Sequence, residues 1–212
     1  MLQGERSERS RTAILDAALE LFSHRGYGAT SVRDIAGTAS VSTGSVYHHF
    51  QDKEAIFQAL LEQCYAITTR ADFPINMALD QSSAFGDFDR LAEAAREVLE
   101  RWRAHVALFY VDAVEFDGRH MQRFYGELAA RFEQFAVANR ARLNLDECLR
   151  DDVPAAAAML FATRVFIYYF SVEALFGVER QLGLDTPHAT RLIAGILRRG
   201  MLRAPGAGAA SS

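Results

Sequence analysis

Lysine is nearly missing from this chain: of 23 Lys and Arg in 212 residues, only Lys53 is a lysine. Cysteine is scarce as well. Cys64 and Cys148 lie in apolar stretches of helical spacing, and they form no pair at zinc or redox-motif spacing. A disulfide framework is therefore not expected, and both read as reduced core thiols. Only four prolines interrupt the chain. The runs between them keep a helical period, which favours an all-α protein over a sheet. No phosphate-binding glycine loop, no G-x-S-x-G elbow and no H-E-x-x-H pair occurs, so the common catalytic motifs are excluded. The start, MLQGERSERSR, is polar and carries no apolar segment of a signal peptide. An excess of positive charge is lacking too. The formal net charge is −4, and residues 1–70 hold seven basic groups against eight acidic ones. A nucleic-acid binder is ordinarily basic, so such a role must rest on local placement of charge.

What is present begins with residues 30–50, TSVRDIAGTASVSTGSVYHHF. Thr30 and Ser31 are N-cap types, and Asp34 stands three after Ser31 as a loose capping box. Val32, Ile35 and Ala36 share one face. Thr38-Ala39-Ser40 forms a turn with Val41 as its buried plug. Ser42 caps a second short helix, in which Val46 and Phe50 point inward at i and i+4. The outward residues are Thr43, Gly44, Ser45, Tyr47, His48 and His49. No acid occurs between Thr38 and Gln51. Hydroxyls, a phenol and imidazoles without carboxylates suit a surface that meets phosphates and base edges. The layout is a helix-turn-helix whose second helix enters the major groove.

The flanks extend the pattern. Ile14, Ala18, Leu21 and Phe22 repeat helically, and Gly26 stands where a C′ glycine belongs. Asp52 caps a further helix carrying Ile56, Phe57, Leu60, Leu61 and Cys64. The stretch ILDAALELFSHRGYGATSVRDIAGTASVSTGSVYHHFQDKEAIFQAL resembles the DNA-binding domain of the tetracycline-repressor (TetR) family of transcriptional regulators. The marks are the A-x-x-L-F…G-Y helix end, T-S-V-R-D-I-A, V-S-x-G-S-V-Y-x-H-F and D-K-E-A-I-F. The resemblance is detailed over roughly residues 10–65. One departure is Ser40, where the family usually has glycine; at positive φ a serine costs on the order of 1 kcal/mol.

The resemblance implies a three-helix helix-turn-helix domain followed by a helical ligand-binding and dimerisation domain. The expected boundaries are 1–51 for an unstructured N-terminal arm (residues 1–9) and the motif, and 52–71 for a connecting helix. Residues 72–203 form the second domain and 204–212 a flexible tail. Within the second domain, residues 72–86 read as an irregular connection. Helices are expected at 87–102, 104–116, 121–143, 155–176 and 187–203, the last capped by Thr186 with Pro187 at its first turn. The run 155–176 is long enough to raise a membrane span, but Arg164 and Glu173 interrupt it and no basic flank orients it. No membrane partner is expected.

Matching the family pattern residue by residue assigns Arg33, Thr43, Gly44 and Tyr47 to base edges. Ser31, Ser42, Ser45, His48, His49 and Lys53 are assigned to phosphates. Aromatic side chains crowd the second domain, and pockets favour aromatic walls. An effector pocket is expected among Trp102, Phe109, Tyr110, Phe124, Phe132, Phe161 and Tyr169, with Arg164 near it. The resemblance also implies dimerisation through the last two helices, here with Phe166, Phe170, Leu192, Ile193, Ile196 and Leu197 at the seam. His105 and His120, flanking Asp112 and Glu115, read as surface or pocket-rim polar groups rather than metal ligands. No cofactor or metal is expected. The resulting expectation is a cytoplasmic, homodimeric repressor released from a palindromic operator on double-stranded DNA by a small, largely apolar or aromatic effector. The alternative is a regulator of the same type controlled by a protein partner; a helical enzyme or carrier fits the residues less well.

Overall fold

A computed structural model describes residues 3–204; the tail expected at 204–212 lies, apart from its first residue, outside them. Among the described residues there are ten helices and one isolated antiparallel bridge, Leu149 to Leu202. The chain divides into two compact units. The first comprises residues 1–68 and 104–124, the second residues 69–103 and 125–212.

The first unit contains α1 (Gln3–Arg25), α2 (Val32–Thr38), α3 (Thr43–His49) and α4 (Lys53–Thr69, all but its last residue). To these it adds residues 104–115 of α6 (Phe88–Glu115) and the start of α7 (Met121–Ala138). Ile14, Ala18, Phe22, Ile35, Val46, Ile56, Phe57 and Leu60 are buried together with Leu108, Phe116 and Met121. Phe57 stacks on Phe116 at 4.9 Å between ring centroids, and Tyr27 meets Phe116 edge-on at 4.5 Å. Each buried Phe or Leu contributes roughly 1.5–3 kcal/mol. Segment 104–124 therefore belongs to the core beneath the helix-turn-helix.

The helix α1 starts at Gln3, where an unstructured arm was expected over residues 1–9. Residues 3–10 carry no apolar side chain and so show no period, but Glu5, Arg6, Glu8 and Arg9 are strong helix formers. The hydroxyls of Ser10 and Thr12 donate to the carbonyls of Arg6 and Glu8 at 3.0 Å each. Gly26, at φ +83°, closes the helix with its N–H on Phe22 O, as a C′ glycine does.

The second unit corrects several expected boundaries. A helix, α5 (Pro74–Gln81), replaces the irregular connection. Its proline sits at the first turn, and the Arg142 guanidinium donates to the carbonyls of Asp80, Ser82 and Leu79 at its other end. Residues 88–115 are helical on both sides of a kink at Trp102, which is non-helical at φ −127°, ψ 29°, so the two helices expected at 87–102 and 104–116 meet there. The helix α7 stops at Ala138 instead of 143. Asn144, at φ +51°, then leads into α8 (Leu145–Cys148). In α10 (Thr186–Met201) the cap is Asp185, which accepts from His188 N, and Thr186 is already helical. The helix α9 (Ala155–Phe176) buries Ala158, Met159, Ala162, Phe166, Tyr169 and Phe170. It is long and apolar enough to cross a membrane by length and composition alone. The hydroxyls of Thr163 and Ser171 donate to the carbonyls one turn back.

Candidate nucleic-acid interface

Two side-chain caps set the geometry of α2 and α3. Ser31 and Asp34 form a reciprocal capping box: Asp34 N donates to Ser31 Oγ at 3.1 Å, and Ser31 N donates to Asp34 Oδ2 at 2.9 Å. The Ser31 hydroxyl also donates to Asp34. These hydrogen bonds hold the Asp34 carboxyl below its usual range, and they leave Ser31 no proton for a phosphate. Ser42 caps α3 by accepting from Ser45 N at 3.1 Å, and its own proton is not needed for that bond. Between the two helices Ser40 sits at φ +55°, the conformation in which a serine is strained. Val41 N donates to Ala36 O and closes the turn.

Arg33, Thr43, Gly44, Tyr47 and His48 are exposed on the outer side, Ser45 and His49 half-buried. Tyr47 is 58% exposed although it is a large aromatic. A Cβ added at Gly44 would meet only Ser42 Oγ, at 3.7 Å, so packing within the chain does not require glycine there. Beside this face the N-terminal turns of α1 come close to the last turn of α3. Gly4, Arg6, Ser7 and Ser10 face Ser45, His48 and His49 across an open cleft of about 330 Å³.

Lys53, assigned to a phosphate, is also engaged within the chain. Its ammonium donates to Tyr27 O at 2.7 Å and Thr30 O at 2.8 Å, and it lies 3.9 Å from the Tyr27 ring centroid. Burial lowers its pKa, against the pull of Glu115. Two of three ammonium protons thus fasten the α1–α2 turn. From the other side, the Glu115 carboxylate accepts from the backbone N–H groups of Tyr27, at 2.7 Å, and Gly28. Sequence reasoning missed this latch: the glycines at 26 and 28 hint at a close approach, but nothing local points to a residue some 87 positions away. Asp112, fully buried, accepts from His120 Nδ1 at 2.6 Å and from Met121 N at 3.1 Å. Glu54 lies 3.2 Å from His120 Nε2. The Asp112–His120 pair is thus interior wiring of the first unit rather than a surface or rim feature.

The residues expected to line a pocket are divided between the two units. Phe109 and Phe124 pack against the core of the first unit, 5.1 Å apart. Tyr110 also falls in that unit. In the second unit Phe132 and Tyr169 are buried, and the Tyr169 hydroxyl donates to Glu173. Phe161 is 56% exposed, and Arg164 is exposed with its guanidinium over Tyr125. Trp102 packs against Phe73 at 5.5 Å. An apolar cleft beside Phe85, Phe88 and Leu143 has a volume of only about 20 Å³, room for about one water. Of the residues expected between two copies, Phe166, Phe170 and Leu197 are buried within the single chain, whereas Leu192 and Ile196 are exposed and Ile193 half-buried. The outward apolar residues of α9 are Phe161, Tyr168 and Phe176.

The family described as "Bacterial regulatory proteins, tetR family" matches residues 14–60. The "HTH-type transcriptional repressor Rv3405c" of Mycobacterium tuberculosis is 30% identical over 191 residues, 84% of this chain and 86% of that protein. The chain belongs to the TetR family of bacterial transcriptional regulators. The family and these relatives are regulators, not enzymes. The "HTH-type transcriptional repressor KstR2" of Rhodococcus jostii is more similar over a shorter stretch, 51% identical over 51 residues. That match spans 24% of this TetR-family chain and only about a quarter (25%) of KstR2. A crystal structure of a TetR family regulator from Marinobacter aquaeolei shares the fold with a TM-score of 0.62 at 16% identity. The match covers 95% of this chain and all (100%) of the other.

Proposed function

We propose that this TetR-family chain is a homodimeric repressor that occupies an inverted-repeat operator and is released by a small, largely apolar or aromatic effector. The observation that carries the DNA-binding part is the acid-free, exposed face of α3, held in place by the Ser31 and Ser42 caps. In this reading Arg33, Thr43, Gly44 and Tyr47 approach base edges. Arg33 is the one long bidentate donor in the motif and reads a guanine. Ser42, Ser45, His48 and His49 hold phosphates. Lys53 supports the turn that presents α2, and its third proton remains for a phosphate. Thr43 and Ser45 are short, so part of the specificity comes from DNA shape. Exposed Tyr168, Leu192 and Ile196 support pairing of α9 and α10 with their symmetry mates as an isologous four-helix bundle.

An effector that binds the DNA-incompetent state more tightly shifts the population away from DNA. Because the protein acts on DNA, it works in the cytoplasm. Selection of bound duplexes from random DNA tests the reading directly. Recovery of an inverted repeat with half-sites about one helical turn apart is the expected result, and recovery of no common sequence would overturn it. A screen in which no small molecule lowers affinity for the selected operator would instead point to control by a protein partner.

A further inference from the structure

The cleft between α1 and α3 has a composition that the rest of the molecule does not explain. Six side chains face it: Arg6, Ser7 and Ser10 from α1, and Ser45, His48 and His49 from α3. Among the described residues no carboxylate lines it. One fixed cation, three hydroxyls and two imidazoles make a polar hollow with donors on both walls. The two imidazoles lie edge to face with ring centroids 5.2 Å apart. They occupy the last turn of α3, where the helix carbonyls favour a positive group.

Charged groups on the neighbouring elements are placed elsewhere. On α1, Glu5, Glu8 and Arg9 are exposed and do not line the cleft. Arg11 lies over the Phe50 ring. On α2, Asp34 is bound to Ser31, and Arg33 is exposed. Asp52, which follows α3, caps Ala55 N at 2.8 Å. Among the described residues nothing anionic therefore claims the two histidines.

We propose that this cleft takes a backbone phosphate of the DNA, and that His48 and His49 take up protons from solvent as the phosphate docks, so that DNA binding by this chain is proton-linked. The proposal rests on the DNA-binding reading above and adds a second wall, α1, and a proton to it. The physical argument is short. An imidazole ordinarily titrates near pH 6.5. Two imidazoles side by side disfavour charging both, and an anion within about 4–6 Å reverses that preference. The bound state then holds more protons than the free state, and affinity falls as pH rises. The Arg6 guanidinium contributes alongside the imidazoles.

Because a phosphate clamp is blind to sequence, the probe is a random-sequence duplex of about 30 base pairs at low, constant salt. Fluorescence anisotropy gives its affinity for the full chain at steps between about pH 6 and pH 8, and circular dichroism at each step monitors the fold. Wild-type affinity should fall about tenfold per unit of pH for each proton taken up over the upper part of that range. The slope of log affinity against log salt should be steeper at the acid end by about one for each charge gained. The double variant His48→Gln/His49→Gln should bind weakly with little pH dependence. Arg6→Ala should lose affinity at every pH and keep the pH dependence. Saturable binding that is flat from pH 6 to pH 8, or a pH dependence that survives in the double variant, overturns the proton linkage and leaves DNA binding standing. No binding to any duplex at the acid end overturns the DNA-binding reading itself.

Discussion

At the scale of the residue, Gly44 separates folding from recognition. Its methyl-sized space is open, with Ser42 Oγ at 3.7 Å from the position a Cβ would take. Gly44→Ala should therefore fold at least as well as the wild type, gaining up to about 1 kcal/mol of helix propensity. The same methyl stands where base edges approach in the proposed complex, and operator affinity should fall about tenfold or more. Thermal unfolding and anisotropy on the selected operator check the two opposite signs. His105 supplies a pH effect on stability. Burial lowers its pKa in the folded chain, with Asp16 opposing. The folded imidazole stays neutral while the unfolded chain takes up a proton below about pH 6.5. The stability it contributes is thus present above that pH and is lost as pH falls through it toward the folded value. Melting temperatures of His105→Gln should drop less than those of the wild type between about pH 7.5 and pH 5.5. Identical curves would show that acid sensitivity arises elsewhere.

At the scale of the element, the α1–α2 turn hangs on two groups from outside it: Lys53 on its carbonyls and Glu115 on its N–H groups. Glu115→Ala removes a charged acceptor from two donors that water can reach. The expected cost is about 1 kcal/mol, seen as a fall of roughly 2–4 °C in Tm. Gly28→Ala should act in the same direction, because its Cβ would come within 2.9 Å of a Glu115 oxygen and push the carboxylate off. Unchanged melting in both variants would show that the turn stands without the latch. The short helices were legible because their caps and inward residues are local: Ser31 with Asp34, Ser42 with Ser45 N, Val46 with Phe50. The turn at Ser40 was legible for the same reason. What escaped reading depends on distant partners or on the absence of a period. Residues 3–10 carry no apolar residue to mark a face. Pro74–Gln81 ends under Arg142, 60 to 63 positions away along the chain from the carbonyls it holds. Phe166 and Phe161 look alike in sequence, and only packing against the rest of the unit decides that the first is buried and the second 56% exposed.

At the scale of the whole molecule, the charge balance calls for cooperation. With a net charge of −4, a single helix-turn-helix should bind DNA modestly, and two on the frame of the proposed dimer would gain from their effective concentration. Ile196 is 55% exposed in the single chain, so Ile196→Arg should leave the fold of each chain intact. Across the proposed seam it would bury unpaired charge. Sedimentation should find the wild type dimeric at micromolar concentration and the variant monomeric, with helical dichroism unchanged and operator affinity largely lost. A variant that still dimerises would move the seam elsewhere. One feature of the first unit bears on how such proteins can be recombined. Its core is discontinuous, drawn from residues 1–68 and 104–124, while the family pattern covers only 14–60. A chimera that grafts residues 1–68 onto a relative's body leaves Phe57 without Phe116 and the α1–α2 turn without Glu115. Such a hybrid should lose near-ultraviolet dichroism from its transplanted aromatics and bind no operator. A hybrid that also carries 104–124 should regain both and select its donor's DNA sequence, so exchange of specificity within the family travels as two pieces of chain rather than one.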